Sequence, residues 1–334
     1  MVYSSYLDVG VLRDTLLPNL GFHLSLAVPA YLIGRSQNFL QAKDLLWPTG
    51  QVLSAWYAAI GRHVIQIPGL GLGLGSGTNA TVSLSTAVRA VTTSGWLLLG
   101  GATLWGGRLL YREITRDVKR ATDDPRYDEI KKEKNGWTKA FFTMFLPEAL
   151  IQALISLPFT APFRTSLPVI PSSVDSKGYL QAAAVALFAI GFSLELIGDY
   201  QLSEHQAQRK NGLLREGVWS IVRHPNYLGD ILIHASFPIL LYANNLFNPY
   251  VLLGPLTNWF FLRYISGDKQ NEASQEVRYA REDPVKSREF EEYKREKNAV
   301  WPSFTEVTTN KWSWIVLGVG AAAAVVERSL SVLI

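Results

Sequence analysis

The sequence predicts an all-α membrane protein, a polytopic helix bundle with about seven or eight transmembrane helices. Of its 334 residues, 48% are hydrophobic and only 18% are charged. The charged residues are gathered into blocks that are separated by long uncharged spans. An apolar span of about 20 residues is long enough to cross a bilayer. The chain has no cysteine, which excludes disulfides and cysteine-based metal sites or nucleophiles.

Eight apolar spans can be placed in order along the chain. The second is interrupted by Arg62 and His63, and the fifth contains Glu195. The third carries several glycines that would allow close helix packing. The spans cover roughly residues 16–33, 50–67, 88–110, 140–158, 179–198, 225–242, 246–265 and 312–326.

The basic residues predict which loops face the cytosol. Residues 108–139 carry ten lysines and arginines, and the polar segments 199–220 and 263–311 fall on the same side if the spans alternate. Basic loops of membrane proteins stay cytosolic. The glycine run at residues 68–77 lacks the Gly-Lys-Ser/Thr ending of a phosphate loop, so we expect a membrane-surface loop there. The sequon at Asn79 matters only if that loop is lumenal.

The same layout predicts three regions. Residues 1–100 form N-terminal transmembrane helices, residues 101–310 form a central region, which the family resemblance given below implies is catalytic, and residues 311–334 form a C-terminal transmembrane helix. Basic patches with interleaved aromatic residues, which would indicate nucleic-acid binding, are not apparent.

The clearest chemical motif lies at residues 223–230, where a polar segment meets an apolar one. Pro225 suits the first turn of a helix, and the positive end of that helix beside Arg223 suits a phosphate or carboxylate. Tyr227, Asp230 and His234 recur at helical spacing and share one face. A polar stripe on an apolar helix must face something other than lipid.

Two other places carry candidate site residues. Glu195 and Asp199 are four residues apart on one helix face, with Gln201 close behind, and an acidic residue in an apolar span must line a cavity or pair with a base. Simple packing of Glu195 against a basic neighbour is the alternative. Glu272 and Tyr293 lie in the last charged block, part of which reads as a solvated amphipathic helix. His224 precedes the motif helix, so we expect no metal site with His234.

Five motifs in order carry a family resemblance. Residues 217–230 resemble the signature shared by steroid 5-alpha-reductase-like proteins, sterol reductases and isoprenylcysteine carboxyl methyltransferases. The closest resemblance is to an uncharacterised steroid-reductase-like membrane branch. The other matching stretches are residues 123–127, 155–158, 195–202 and 266–302, so that the resemblance covers roughly residues 100–305.

The resemblance implies a cofactor in the cytosolic half of the bundle. In the reductases it is NADPH, and in the methyltransferases it is S-adenosylmethionine, for which a glutamate like Glu272 contributes. The cofactor-binding residues implied or suggested by position are Arg223, His224, Asn226, Tyr227, Asp230, Asp199, Gln201, Glu272 and Tyr293. The candidate catalytic residues are Glu195, Tyr227 and His234.

The sequence also departs from that branch. His205 and Gln206 stand where the branch has Phe and a base, and the nearest bases are Arg209 and Lys210. A 2′-phosphate normally needs such a charge. His234 stands where the branch usually has Trp.

The favoured hypothesis is an NADPH-dependent reductase of a C=C or enone in a sterol or other lipidic substrate, located in the endoplasmic reticulum with its active-site loops cytosolic. It predicts a hollow between the fifth and sixth spans. The first alternative is an S-adenosylmethionine-dependent methyltransferase of a lipidic or prenylated substrate. The second is a degenerate, non-enzymatic protein that binds lipid or scaffolds other membrane proteins.

Overall fold

The protein is largely helical in the part described by the structure, a computed structural model that covers residues 9–65, 82–120, 123–124, 127–164, 177–208, 212–265 and 267–333. No strand occurs within those ranges. This confirms the predicted fold class. The glycine run, the sequon at Asn79, and Arg209 and Lys210 lie outside the described residues.

Sixteen α-helices follow one another along the described ranges. They are α1 (Val9–Gln37), α2 (Ala42–Trp56), α3 (Arg62–Val64), α4 (Leu84–Arg89), α5 (Thr93–Arg120), α6 (Asp128–Lys132), α7 (Gly136–Ala140), α8 (Leu146–Ile155), α9 (Leu157–Arg164), α10 (Lys177–Ala207), α11 (Pro225–Ala243), α12 (Leu253–Phe260), α13 (Asp268–Glu282), α14 (Pro284–Glu296), α15 (Phe304–Thr309) and α16 (Lys311–Leu333). Single π-helical turns join α2 to α3 (Tyr57–Gly61) and α7 to α8 (Phe141–Phe145), and another (Phe261–Ile265) extends α12.

Four of the described helical stretches are long and apolar enough to cross a membrane. They are Asp14–Gln37, Gly136–Ile155, Lys177–Ala207 and Lys311–Ser331, and they coincide with the first, fourth, fifth and eighth predicted spans. The other four predicted spans are also largely helical but fall short in apolar length. The second half of α5 is charged, α11 carries polar residues, and α12 has only eight residues. For these four, crossing the bilayer stays a prediction.

The chain divides into two compact units. Unit 1 comprises residues 1–171 and 245–254, and unit 2 comprises residues 172–244 and 255–334. The expected boundaries at residues 100 and 310 do not coincide with this division. The reason is that α1, α2 and α5 pack with α8 and α9, so the N-terminal helices share a core with the first part of the expected catalytic region.

Unit 1 is tied together by polar side chains between its helices. Asn19 of α1 donates to the Thr160 hydroxyl of α9 at 2.6 Å. Lys43 of α2 pairs with Glu148 of α8 at 3.1 Å, and both side chains are nearly buried. Buried polar groups are stable only when they find partners, so these contacts fix the register of the helices against each other.

Unit 2 is built on α10, which packs along both α11 and α16. The crossing of α10 and α11 is set by two glycines. A Cβ placed on Gly229 would lie 2.5 Å from the carbonyl oxygen of Gly191, and a Cβ on Gly191 would lie 2.5 Å from that of Gly229. Small residues let membrane helices approach backbone to backbone, which is how this pair packs.

We expect Gly229→Ala to lower the free energy of unfolding by about 1–3 kcal/mol, because the methyl group has no room at the helix crossing. Gly318→Ala in α16 is the matched control, since its Cβ would meet nothing within 4 Å. That change should be neutral or stabilising by about 0.5–1 kcal/mol, because alanine favours the helix. Thermal unfolding of both variants in detergent micelles measures the difference, and equal stabilities would contradict the proposed crossing.

Candidate functional site

The motif helix starts where the sequence predicts. Pro225 is the first residue of α11 and His224 is its N-cap. The segment before it is held from both sides. The Gln201 side chain accepts a hydrogen bond from the Val218 backbone N–H at 2.9 Å. The backbone N–H groups of Arg223 and His224 donate to the carbonyls of residues 298 and 299, at 3.0 and 2.8 Å.

Arg223, His224 and Glu272 form a compact ion-paired cluster, called here the motif clamp. The Arg223 Nε and Nη2 atoms donate to the two Glu272 oxygens at 2.9 and 3.0 Å. His224 Nε2 lies 2.7 Å from Glu272 Oε1. The remaining terminal nitrogen of Arg223 donates to the carbonyls of Lys294 and Lys297. The guanidinium that was expected to hold phosphate is thus engaged by the protein itself.

The clamp sets the charges of its members. Burial by itself would raise the pKa of Glu272, but the hydrogen bonds from His224 and Arg223 outweigh it and lower this pKa to about 2. Burial lowers the pKa of His224, and the hydrogen bond to Glu272 only partly offsets that effect. At neutral pH the cluster therefore holds one guanidinium, one carboxylate and one neutral imidazole that donates from Nε2.

Tyr293 supports the same segment from α14. Its hydroxyl lies within hydrogen-bonding distance of the carbonyl oxygens of Trp219 and Val222, which precede the clamp. Burial raises the pKa of Tyr293, so the phenol keeps its proton and remains a donor. Tyr293 thus stabilises the backbone of the segment before α11 by hydrogen bonds.

The predicted polar face of α11 is present and largely buried. The Tyr227 ring stacks on His224 with centroids 5.2 Å apart. Asp230 accepts a hydrogen bond from Asn258 of α12 at 2.8 Å, and His234 Nε2 lies 3.7 Å from the other Asp230 oxygen. The polar face of α11 is turned towards α12, which supplies a hydrogen-bond donor to Asp230.

The candidate site residues of α10, Glu195 and Asp199, lie apart from the motif clamp. Glu195 is 2% exposed and packs beside Gly229 at the glycine crossing. Asp199 lies one turn further on and is partly buried. At the level of Gly191 and Gly229 the two helices leave no hollow, because their backbones touch there. Elsewhere between the fifth and sixth spans the expected hollow stays a prediction.

Several amide and indole atoms near the polar face are buried without a hydrogen-bond partner, among them Asn226 Oδ1, Asn258 Oδ1 and Trp259 Nε1. Asn258 and Trp259 were missed by sequence reasoning. The available signal was Asn258, an amide in the middle of the apolar stretch 246–265. Unsatisfied buried polar atoms are uncommon, and each calls for an explanation such as a bound ligand.

Of the three predicted catalytic residues, only Tyr227 is partly exposed. His234 has no exposed surface, and its ring contacts Phe237 edge-on at 6.4 Å between centroids. Within the described residues, no group of three histidine, aspartate or glutamate side chains is placed to hold a metal ion.

Comparison with known proteins gives one family match. Residues 73–297 match the family described as "Protein of unknown function (DUF1295)". No curated protein and no solved structure gives a significant match to the chain.

We expect Glu272→Gln to lower the free energy of unfolding by about 2–3 kcal/mol, because it leaves Arg223 without its counter-charge. The matched control is Glu276→Gln on the same helix, whose carboxylate pairs with Lys294 but is 45% exposed. Exposed pairs contribute little, so this change should cost less than about 1 kcal/mol. Thermal unfolding of the two variants tests the clamp, and equal losses would contradict it.

The neutral His224 predicts a pH dependence. Its pKa is lower in the folded protein than in the unfolded chain, where it is about 6.5. The unfolded chain therefore binds an extra proton below pH 6.5, and stability falls as the pH drops from there towards the folded pKa. We expect His224→Gln, which keeps a donor, to lose less stability between pH 7.5 and 5.5 than the unmodified protein. His205→Gln is the control, and an unchanged pH dependence in His224→Gln would contradict the assignment.

Proposed function

The chain belongs to the DUF1295 family, which is part of the steroid 5-alpha-reductase-like superfamily, and on this premise we propose that it is an integral membrane NADPH-dependent reductase. The substrate class is a C=C or enone in a sterol or other lipidic molecule. The proposed location is the endoplasmic reticulum, with the motif loop on the cytosolic side.

The observation that carries this proposal is the buried polar face of α11. It joins Asp230 and His234 to Asn258 of α12, within helices that are otherwise apolar. Polar groups in such surroundings are costly unless they serve a ligand or each other. Pockets that bind cofactors and lipidic substrates combine apolar walls with a few fixed polar groups.

The residues present fit a nicotinamide cofactor. A carboxamide and ribose hydroxyls need both donors and acceptors, and Trp259 Nε1 offers a buried donor while Asn226 Oδ1 and Asn258 Oδ1 offer acceptors. The N-terminus of α11 supplies the positive helix end that favours phosphate groups. Arg223 acts in this proposal as a positioning residue, because its donors hold Glu272 and the carbonyls after α14.

Bound NADPH would supply a hydride to the polarised double bond. The protein's own part is to orient the reactants and to provide a proton for the other carbon. Tyr227 is the predicted catalytic residue that is partly exposed, so we assign the proton donation to its hydroxyl. Glu195 and His234 are assigned the task of holding α10 and α11 in place around Asp230.

The methyltransferase alternative requires the motif clamp to open. It needs Glu272 for the amino group of S-adenosylmethionine and Arg223 for its carboxylate. Those two side chains form a bidentate pair with each other. Breaking a largely buried pair costs several kcal/mol, so this geometry favours the reductase.

We expect NADPH at about 100 times its dissociation constant to stabilise the purified protein by about 2.7 kcal/mol. Asn226→Ala removes one acceptor and should weaken binding about tenfold. Asn271→Ala, an exposed position on α13, is the matched control and should bind like the unmodified protein. Thermal shift in detergent, with NADPH, NADH and S-adenosylmethionine side by side, measures this.

The three ligands separate the hypotheses. Stabilisation by S-adenosylmethionine alone would replace the reductase with the methyltransferase, and stabilisation by none would favour the non-enzymatic lipid-binding protein. If NADPH raises the melting temperature of Asn226→Ala as much as that of the unmodified protein, the reductase hypothesis is retained but the cofactor does not bind at α11.

A further inference from the structure

Two arginines of unit 1, Arg62 and Arg164, lie together, and no described residue supplies a counter-charge. Arg62 in α3 donates to the carbonyls of Phe163 and Arg164 at the end of α9, and its contact with Arg164 is 3.3 Å long. Three guanidinium nitrogens of the pair are buried and have no hydrogen-bond partner: Arg62 Nε, Arg164 Nε and Arg164 Nη2. Within the described part of the chain, no carboxylate pairs with either arginine.

The unsatisfied atoms of Arg164 form a fork. Nε and Nη2 lie on one edge of the guanidinium, and Arg223 uses this same edge to bind both oxygens of Glu272 at 2.9 and 3.0 Å. That edge matches the spacing of two oxygens on a carboxylate or phosphate. At Arg164 the edge is buried, yet no protein oxygen meets it.

The electrostatics point to an anion. Burial, together with the nearby positive charge of Arg62, lowers the pKa of Arg164 to about 10, so the Arg164 guanidinium remains charged at neutral pH. Arginine side chains in proteins stay protonated in general, so Arg62 adds a second positive charge. Two like charges in a partly buried place repel each other and lose hydration. A negative ligand between them removes both penalties.

The pair lies at one end of unit 1. The turn between α1 and α2 is bonded to Asp123, which follows α5, at 2.8 and 2.9 Å. Arg62 begins α3, which continues α2 through the π-helical turn Tyr57–Gly61, so it lies at the end away from that turn. Phe163, beside Arg164, packs against Gly95 near the start of α5. The pair therefore lies at the ends of these helices opposite to Asp123, which is the level of the lipid headgroups in the predicted arrangement of the spans.

We propose that Arg62 and Arg164 form a binding site for a phosphate group, outside the motif site on α11. Arg164 supplies the bidentate fork and Arg62 supplies the second positive charge while it caps α9. The phosphate belongs either to a lipid headgroup or to a free anion, and both use the same contacts.

The test is made on the full chain in dodecyl maltoside without added lipid. Dioleoyl phosphatidic acid is compared with dioleoylglycerol, which has the same tails and no phosphate, and with inorganic phosphate at millimolar concentration. We expect phosphatidic acid to raise the melting temperature by several degrees and dioleoylglycerol to leave it unchanged. A shift with inorganic phosphate alone that phosphatidic acid does not exceed would identify a free anion as the ligand.

Variants of the fork complete the test. Arg164→Gln should weaken phosphatidic acid binding about tenfold or more, and Arg164→Lys should weaken it less, because an ammonium keeps the charge without the fork. Arg89→Gln, an exposed arginine at the end of α4, is the matched control and should bind normally. Phosphatidic acid retained per chain in native mass spectrometry gives a readout for Arg164→Lys even if Arg164→Gln does not fold.

The proposal is overturned if neither phosphatidic acid nor phosphate shifts the melting temperature. It is equally overturned if Arg164→Gln retains as much phosphatidic acid as the unmodified chain. Neither result bears on NADPH binding, so the two proposals can fail separately.

Discussion

The motif end of unit 2 depends on one bidentate ion pair, between Arg223 and Glu272. It joins the loop before α11 to α13, and through the other guanidinium nitrogen it also reaches the carbonyls that follow α14. A largely buried charge cannot be left unpaired without a large loss of stability. Together with the backbone hydrogen bonds to residues 298 and 299, this contact fixes the segment before Pro225, where α11 begins.

The same pair changes what kind of ligand the motif can recognise. An unpaired arginine beside a helix N-terminus would make a strongly positive site, whereas the net charge of the motif clamp is close to zero. In the proposed function, the cofactor is therefore recognised by amide and indole groups such as Asn226, Asn258 and Trp259, which offer hydrogen bonds without charge. This is the physical reason for assigning Arg223 to positioning and the neighbouring polar atoms to the cofactor.

Features set by nearby residues were predictable from the sequence. The start of α11 at Pro225 and the turn at Asn244 and Asn245, where Asn245 has a φ of 56°, both follow from local backbone preferences. Four of the eight predicted spans correspond to helices that can cross a membrane. Apolar length is a property of a continuous stretch and needs no knowledge of its neighbours.

Features set by distant partners were not predictable. Glu272 is 49 residues from Arg223, and Asn258 is 28 residues from Asp230, so neither pairing leaves a trace in local spacing. Arg62 looked like an interruption of an apolar span, and only packing against the end of α9 reveals its role. The tight contact between α10 and α11 was hidden because single glycines in helices are compatible with many kinds of packing.

The contact between Gly191 and Gly229 also prevents a molecule from passing between α10 and α11 at this level. Where Gly191 and Gly229 meet, the two helices leave less space than a methyl group occupies, so a ring system or an acyl chain cannot pass through this seam. In the proposed reductase, a lipidic substrate therefore has to reach the buried polar face of α11 from a side other than the one that packs against α10.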